Sequence, residues 1–277
     1  MSTVSTTRSP KPSPDDADPF RYGWRYVRIP QPDGTESLEQ VPLTLEDVLF
    51  PEIGDFLVQT DPHDNDLNDL KDVFKSRLAY DPRAAVVSDC RVDWNLSGIK
   101  PLAPDVAVFF KVKRHRPWRT LDVKAEGVTP VLVVEVTSPE TRTNDVDVKV
   151  DYYYRAKVPL YVIADAIQDD GEQRRLTLIG YQRTRGGYRK IEPDARGWIW
   201  LAPVRLWLGV VPDPRLGYDR LACFDETGKE LGDYTAVTQA LAAEIQARTQ
   251  AEQRAAAAEA RVRELEAKFL RRNGQGS

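Results

Sequence analysis

Two stretches, Ala103-Pro104-Asp105-Val106-Ala107-Val108-Phe109-Phe110 and Thr129-Pro130-Val131-Leu132-Val133-Val134-Glu135-Val136-Thr137-Ser138-Pro139, decide how this chain folds. Both are short, apolar and rich in β-branched or aromatic residues, and both read as buried strands. Each also carries a carboxylate: Asp105 opens the first strand and Glu135 lies near the end of the second. A buried carboxylate is costly unless it is paired or bound to a metal. If the strands pair antiparallel, the start of one lies opposite the end of the other. Directly opposed side chains then stand about 5 Å apart on one face.

Beyond Pro139 a polar loop leads into a helix expected from about Asn144 to Lys157, on which Asp145, Lys149 and Tyr153 follow at four-residue intervals. Two carboxylates followed by a lysine are the minimum set for a magnesium-dependent nuclease. Magnesium uses one or two protein carboxylates and completes its shell with water and substrate phosphate. The ion lowers the pKa of water and neutralises charge on the phosphate. A lysine nearby orients the water or stabilises the developing charge. Asp105 and Glu135 are thus the candidate metal-binding carboxylates, with the Val136 carbonyl as a further ligand and Lys149 as the assisting cation. Plainer readings exist for each residue. Asp105 after Pro104 can cap a turn, Glu135 can pair with Arg142 or Lys149, and Asp145 with Lys149 matches a routine surface i,i+4 pair. The conjunction carries the argument.

Working outward, Leu67, Leu70, Val73, Phe74 and Leu78 recur at helical intervals, giving a helix from about Pro62 to Tyr80. Pro62 suits its first turn, and Asp61, Asp64 and Asp66 suit the positive end of its dipole. Thr44 and Asp47 form the ends of a capping box for a short helix. Residues 84–88 and 91–94 read as strands, as do 160–164, 176–183, 188–191, 198–200 and 204–208. Arg185-Gly186-Gly187 and Glu226-Thr227-Gly228-Lys229 read as hairpin turns. The linker between the two acidic strands is basic (Lys111, Lys113, Arg114, Arg116, Arg119) and contains Trp118. It is either a DNA-backbone contact or a solvated loop. From Asp233 to Arg272 there are almost no breakers. Tyr234, Leu241, Arg248, Ala255, Val262 and Phe269 fall at heptad spacing, as do Val237, Glu244, Ala251, Ala258 and Leu265. The segment is a single polar helix or a coiled coil joining a second copy; Arg248 and Glu244 interrupt the seams.

The chain has 277 residues, is 41% hydrophobic and carries a net charge of −4, so no global positive field marks it as a DNA-coating protein. Cys90 and Cys223 match no metal-ligand spacing and read as reduced thiols. With only His63 and His115 in the chain, zinc is not expected. No apolar run approaches the roughly 18 residues that span a bilayer. Residues 1–19 read as a disordered leader, without the apolar core of a secretory signal. The expected protein is cytoplasmic, with no membrane partner.

The run Pro104-Asp105-Val106, then Pro130 to Arg142, then Asp145, Lys149, Tyr153 and Arg155 to Asp165 resembles the Uma-type restriction endonucleases. This bacterial family lies within the PD-(D/E)XK nuclease superfamily. The resemblance spans about residues 40–185 and is tightest over 104–165. It implies that Asp105 and Glu135 bind the metal. It places the catalytic lysine at Lys149, on the following helix, because Thr137 stands where the superfamily's plain motif has it. The family's N-terminal Tyr-Glu-Leu-Ile-Asp-Gly segment, whose glutamate joins the metal site, has no counterpart; Asp55 to Asp61 occupies that region. Asp61 and Asp69 are the candidates for the remaining acid. Lys157 stands where the family has glycine, at a position requiring a left-handed backbone. His63 is a proton shuttle or phosphate contact, or it makes a local hydrogen bond at the helix start. Ser138 caps the Pro139 turn or meets phosphate. Arg142 grips phosphate or pairs with Glu140, and Tyr153 packs on the strands and fixes the lysine.

The expected fold is α/β: a restriction-endonuclease-like mixed sheet flanked by helices, over residues 20–225. The helices 62–80 and 144–157 lie on opposite sides, and strands 174–224 close the domain. A linker and long C-terminal helix occupy 226–272, with a disordered tail at 273–277. The expected activity is hydrolysis of DNA phosphodiester bonds with Mg2+, for which Mn2+ can substitute. The partners are DNA and a second copy bound through 233–272. The alternative is a catalytically silent nuclease-fold module that acts through its C-terminal coiled coil.

Overall fold

The computed structural model describes residues 18–138, 141–168, 174–214, 217–232 and 234–273. Most of the leader and tail expected from the sequence therefore lies outside the described residues. The chain divides into two units, Met1–Leu231 and Gly232–Ser277.

The first unit begins with β1 (Gly23–Pro30) and β2 (Glu36–Pro42), then α1 (Leu45–Leu49), β3 (Asp55–Leu57) and α2 (Asp61–Arg77). The order β2-β1-β3 forms a small antiparallel sheet. Thr44 and Asp47 make the expected capping box at α1. Helix α2 ends a few residues before the expected Tyr80, because the chain turns at Leu78 ahead of Asp81-Pro82. There follow β4 (Ala85–Val87), β5 (Arg91–Asp93), β6 (Val106–Phe109), β7 (Thr120–Asp122), α3 (Val123–Glu126) and β8 (Pro130–Val136). A π-helical turn, Asn144–Val148, runs into α4 (Lys149–Arg155), and β9 (Leu160–Gln168), β10 (Arg174–Thr184) and β11 (Gly187–Ile191) follow. Then come β12 (Ile199–Leu201), β13 (Leu206–Asp213), β14 (Tyr218–Phe224) and β15 (Glu230–Leu231).

The central sheet has the order β11-β10-β9-β8-β6-β4. Only β8 and β9 are parallel, which obliges the chain to cross over between them, and it does so through α4. The expected extension 174–224 is divided: β10 and β11 join this sheet, while β12 to β15 form a second, four-stranded one.

Side-chain alternation assigns the two faces. Val106, Val108, Leu132, Val134, Val162 and Ala164 pack with Leu67, Leu70 and Phe74 of α2 and with Leu206, Leu208 and Leu221 of the second sheet. Ala107, Phe109, Val133, Tyr161 and Ile163 pack on the other face with Tyr153 and Ala156, and with Val92 and Leu121 of the β5–β7 ribbon. Helices α2 and α4 thus cover opposite faces, as the sequence led us to expect. Cys90 and Cys223 are buried free thiols.

The second unit is one helix, α5 (Tyr234–Asn273). No described helix is long and apolar enough to cross a membrane.

Candidate active site

The antiparallel register of β6 and β8 sets Val106 opposite Val134 and Ala107 opposite Val133. Extended by one residue, it sets Asp105 opposite Glu135, with both side chains on the α4 face. The Val136 amide donates to Asp105 Oδ2 at 2.7 Å. The N–H and C=O of one strand residue point to the same side, so the Val136 carbonyl lies on the β6 side of β8.

Helix α4 delivers the lysine. Lys149 Nζ lies 3.0 Å from Glu135 Oε2 and 2.7 Å from Asp145 Oδ1. Asp145 is buried, with a side chain only 2% exposed, so this pair is not the routine surface pair its spacing suggested. The π-helical turn is the departure from the single helix expected at 144–157. It contains Asp145, whose carbonyl accepts from the Tyr161 hydroxyl at 2.9 Å. π-turns of this kind recur where a helix is distorted to aim functional side chains. Tyr153 differs from expectation too. It packs on the strands, but its hydroxyl donates to Glu135 Oε1 at 2.5 Å, so it holds the glutamate and not the lysine.

Burial raises the Asp105 carboxyl to about 7, against the opposing pull of Lys149 and the Val136 amide; Asp145 and Asp89 push the same way as burial. Glu135 moves in the same direction, again chiefly from burial, with Lys149 opposing. For Lys149 burial pulls the pKa down, but Glu135, Asp145 and Asp105 together outweigh it and hold the ammonium above the ordinary lysine range. The cluster therefore keeps its cation and resists carrying all its negative charges at once.

A cleft of 1470 Å³ opens over this cluster, and Asp105, Glu135, Val136, Asp145 and Lys149 all line it. His63 lines it as well, with Nε2 3.9 Å from Asp105 Oδ1. Burial lowers the His63 pKa, which favours the neutral imidazole. Ser138 lines the cleft and accepts from the Thr141 amide at 3.3 Å, the expected cap. Arg142 grips Asp165 with two 2.7 Å hydrogen bonds. Glu140, the alternative partner, lies outside the described residues.

The basic linker divides. Trp118 and Arg119 line the cleft. Lys113 donates to the Ala125 carbonyl at 2.6 Å, and Arg116 is ion-paired with the buried Glu126. Lys111 and Arg114 are exposed and outside the cleft lining.

Neither Asp61 nor Asp69 lines the cleft. The acids that do approach Asp105 and Glu135 are Asp145 and Asp89. Asp89 follows β4, whose register with β6 (Val87 opposite Ala107) runs on toward Asp105. No spacing rule singles out Asp89; only the β4–β6 pairing brings it near. Arg91, at the start of β5, and Arg174, at the start of β10, also line the cleft without any signal in the sequence.

Among the described residues no group of three or more His, Cys, Asp or Glu side chains is placed to hold one metal ion. Two carboxylates and a main-chain carbonyl remain, a set of hard oxygen donors suited to magnesium or manganese. Burial raises both carboxyls, and the adjacent Lys149 opposes the shift in each. Carboxylate oxygens have about four lone-pair positions. Glu135 can therefore accept from Tyr153 and Lys149 and still face an ion.

The family model described as "Uma2: Putative restriction endonuclease" matches residues 53–210, starting and ending later than the span of the resemblance noted above. Among solved structures, a crystal structure described as a "putative nuclease belonging to DUF820" from Anabaena variabilis ATCC 29413 is 16% identical. That match covers 64% of this chain and 92% of the other with a TM-score of 0.39. No curated protein matches the chain.

Proposed function

We propose, from the premise that the chain belongs to the Uma2 family, that it is a divalent-metal-dependent endonuclease hydrolysing DNA phosphodiester bonds. One observation carries the reading: the β6–β8 register sets Asp105 across from Glu135, and the crossover helix brings Lys149 to within 3.0 Å of that glutamate.

Asp105, Glu135 and the Val136 carbonyl would hold Mg2+, or Mn2+ in its place. When bound, such an ion supplies a Lewis acid for a phosphate oxygen and makes water more acidic. The chain's own residues do the rest. Tyr153 and Lys149 fix the Glu135 carboxylate by its two oxygens. Asp145 fixes Lys149 in turn. Because its neighbours hold Lys149 protonated, it acts as a fixed positive charge and not as a base. It orients the attacking water and offsets charge growing on the phosphate. Neutral His63, beside Asp105, is able to accept a proton. Hydrolysis requires no nucleophilic side chain.

Glu135→Gln keeps the shape of the side chain and an acceptor for Tyr153 while removing the charge. Cleavage of plasmid DNA with Mg2+ is expected to fall by roughly 10²-fold or more. Undiminished cleavage by this variant would overturn the assignment. A parent chain that cleaves nothing and shows no Mn2+ binding by calorimetry would favour the silent module.

A further inference from the structure

The cations of the cleft are not equivalent. Lys149 is paired with Glu135 and Asp145, and Arg174 lies 2.7 Å from the buried Asp66. Arg21, which also lines the cleft, has a partner. Arg91 lines the same cleft, yet among the described residues no carboxylate or carbonyl meets its guanidinium. The Arg91 Nε is buried and has no hydrogen-bond partner.

The backbone fixes where Arg91 stands. Strands β5 and β7 run parallel with Arg91 opposite Thr120, so Arg91 sits at the start of the paired ribbon. The Cys90 thiol approaches the carbonyls of Arg91 and Trp118 at 3.7 and 3.8 Å, tying the two segments at that point. The ribbon is anchored from beneath by Val92 and Leu121, which are fully buried. Arg91 is therefore held on a rigid element and half-buried at the cleft wall, with its Nε sealed from solvent and no counter-charge on the rest of its guanidinium. A partly desolvated cation without an anion beside it leaves its charge to be met by a ligand. A guanidinium is a planar fork of donors that matches a phosphate in two-point geometry.

We infer that Arg91 receives a backbone phosphate of the nucleic acid lying in this cleft. The inference rests on the nuclease reading and adds a substrate contact to it. The phosphate is one flanking the bond to be cut, because Arg91 lies on the cleft wall and not in the Asp105–Glu135–Lys149 cluster. The contact is independent of base sequence, since phosphate contacts position a strand without reading it. Arg91 is accordingly a substrate-binding residue and takes no part in proton transfer.

The test measures binding apart from cleavage. A fluorescein-labelled DNA duplex is titrated with the full chain in Ca2+, and anisotropy is followed at several salt concentrations. Arg91→Gln is expected to weaken binding about tenfold and to reduce the slope of log K against log salt by about one. Arg91→Lys, which keeps charge but not the fork, should fall between. The melting temperature of Arg91→Gln should equal or exceed the parent's, because the unmet donor is relieved. A purely structural role would instead lower the melt and leave the salt slope alone. If the parent cleaves DNA and Arg91→Gln binds with unchanged affinity and slope, the inference is wrong and the nuclease reading stands. If the parent neither binds nor cleaves DNA, the nuclease reading fails and the Arg91 contact falls with it.

Discussion

Asp105 is the residue at which burial and charge are most finely opposed. Its carboxyl is pushed from 3.8 to about 7, first by burial, while Lys149 and the Val136 amide pull the other way. In the unfolded chain it titrates at its ordinary value. Between those two values the native state holds a proton that the unfolded state has released. Stability from this group is therefore complete below the unfolded pKa and is lost as pH rises through about 7. Calorimetric melts of the metal-free protein in EDTA should show the parent losing stability from about pH 4 to about pH 7. Asp105→Asn, which has no charge to bury, should lose less and be the more stable of the two at the upper pH. Equal pH slopes for parent and variant would contradict the account. Asp105, Glu135, Val136 and Lys149 were all legible in the sequence, because acids on apolar strands and a lysine on the next helix stand out against their surroundings. Asp89 and Arg91 were not. Each looks like an ordinary polar residue in a turn or at a strand edge, and becomes notable only through what lies across from it.

At the scale of the element, the end of α4 shows how closely local sequence specifies backbone. The Val158 amide donates to the Tyr153 carbonyl and the Lys157 amide to the Tyr154 carbonyl, both at 3.0 Å. That is a Schellman motif, which places Lys157 in the left-handed position, and its φ is 63°. The sequence pointed to this conformation from a family position usually held by glycine. A β-carbon there costs about 1 kcal/mol, and the Lys157 side chain is exposed and contributes no packing to offset it. Lys157→Gly should therefore raise stability by about 1 kcal/mol in urea denaturation. A loss of stability would mean that the lysine makes a contact worth more than the strain. The start of the same element was less legible. Four-residue spacing described one helix across 144–157, whereas the chain forms a π-helical turn before α4. Spacing predicts which residues share a face, but not that a buried Asp145–Lys149 pair, with a Tyr161 hydroxyl on the backbone, will widen the turn that carries it.

At the scale of the whole molecule, α5 is the feature without an account in the first unit. Leu241, Ile245, Val262 and Leu265 are 56, 57, 53 and 57% exposed along a helix of 40 residues. Isolated helices gain most of their stability from burying one face, and these residues offer one. We propose that α5 pairs with a second copy of itself. The heptad seams supply the apolar positions, and Arg248 and Glu244 limit how tightly the middle associates. Light scattering on the full chain should give a multiple of the 31.4 kDa chain mass. Leu241→Glu combined with Leu265→Glu should return the mass to that of one chain, leaving the melt of the first unit in place. A parent that is already monomeric would reject the proposal.

The sequence alone determined the parts that depend on near neighbours and on periodicity: the two acidic strands, the helices on either side, the capping box at Thr44 and the hairpin turns. It gave the shared face of Asp105 and Glu135 only on the condition that the two strands pair antiparallel, and the β6–β8 register meets that condition. Tertiary structure alone decided which acids and cations gather around that pair. It set Tyr153 on Glu135, buried Asp145 against Lys149, brought Asp89 toward Asp105, paired Arg142 with Asp165 and left Arg91 on the cleft wall without an ion pair among the described residues. Those contacts join residues on different strands and loops. Their energies depend on burial and on the surrounding charges, which no local window of sequence contains.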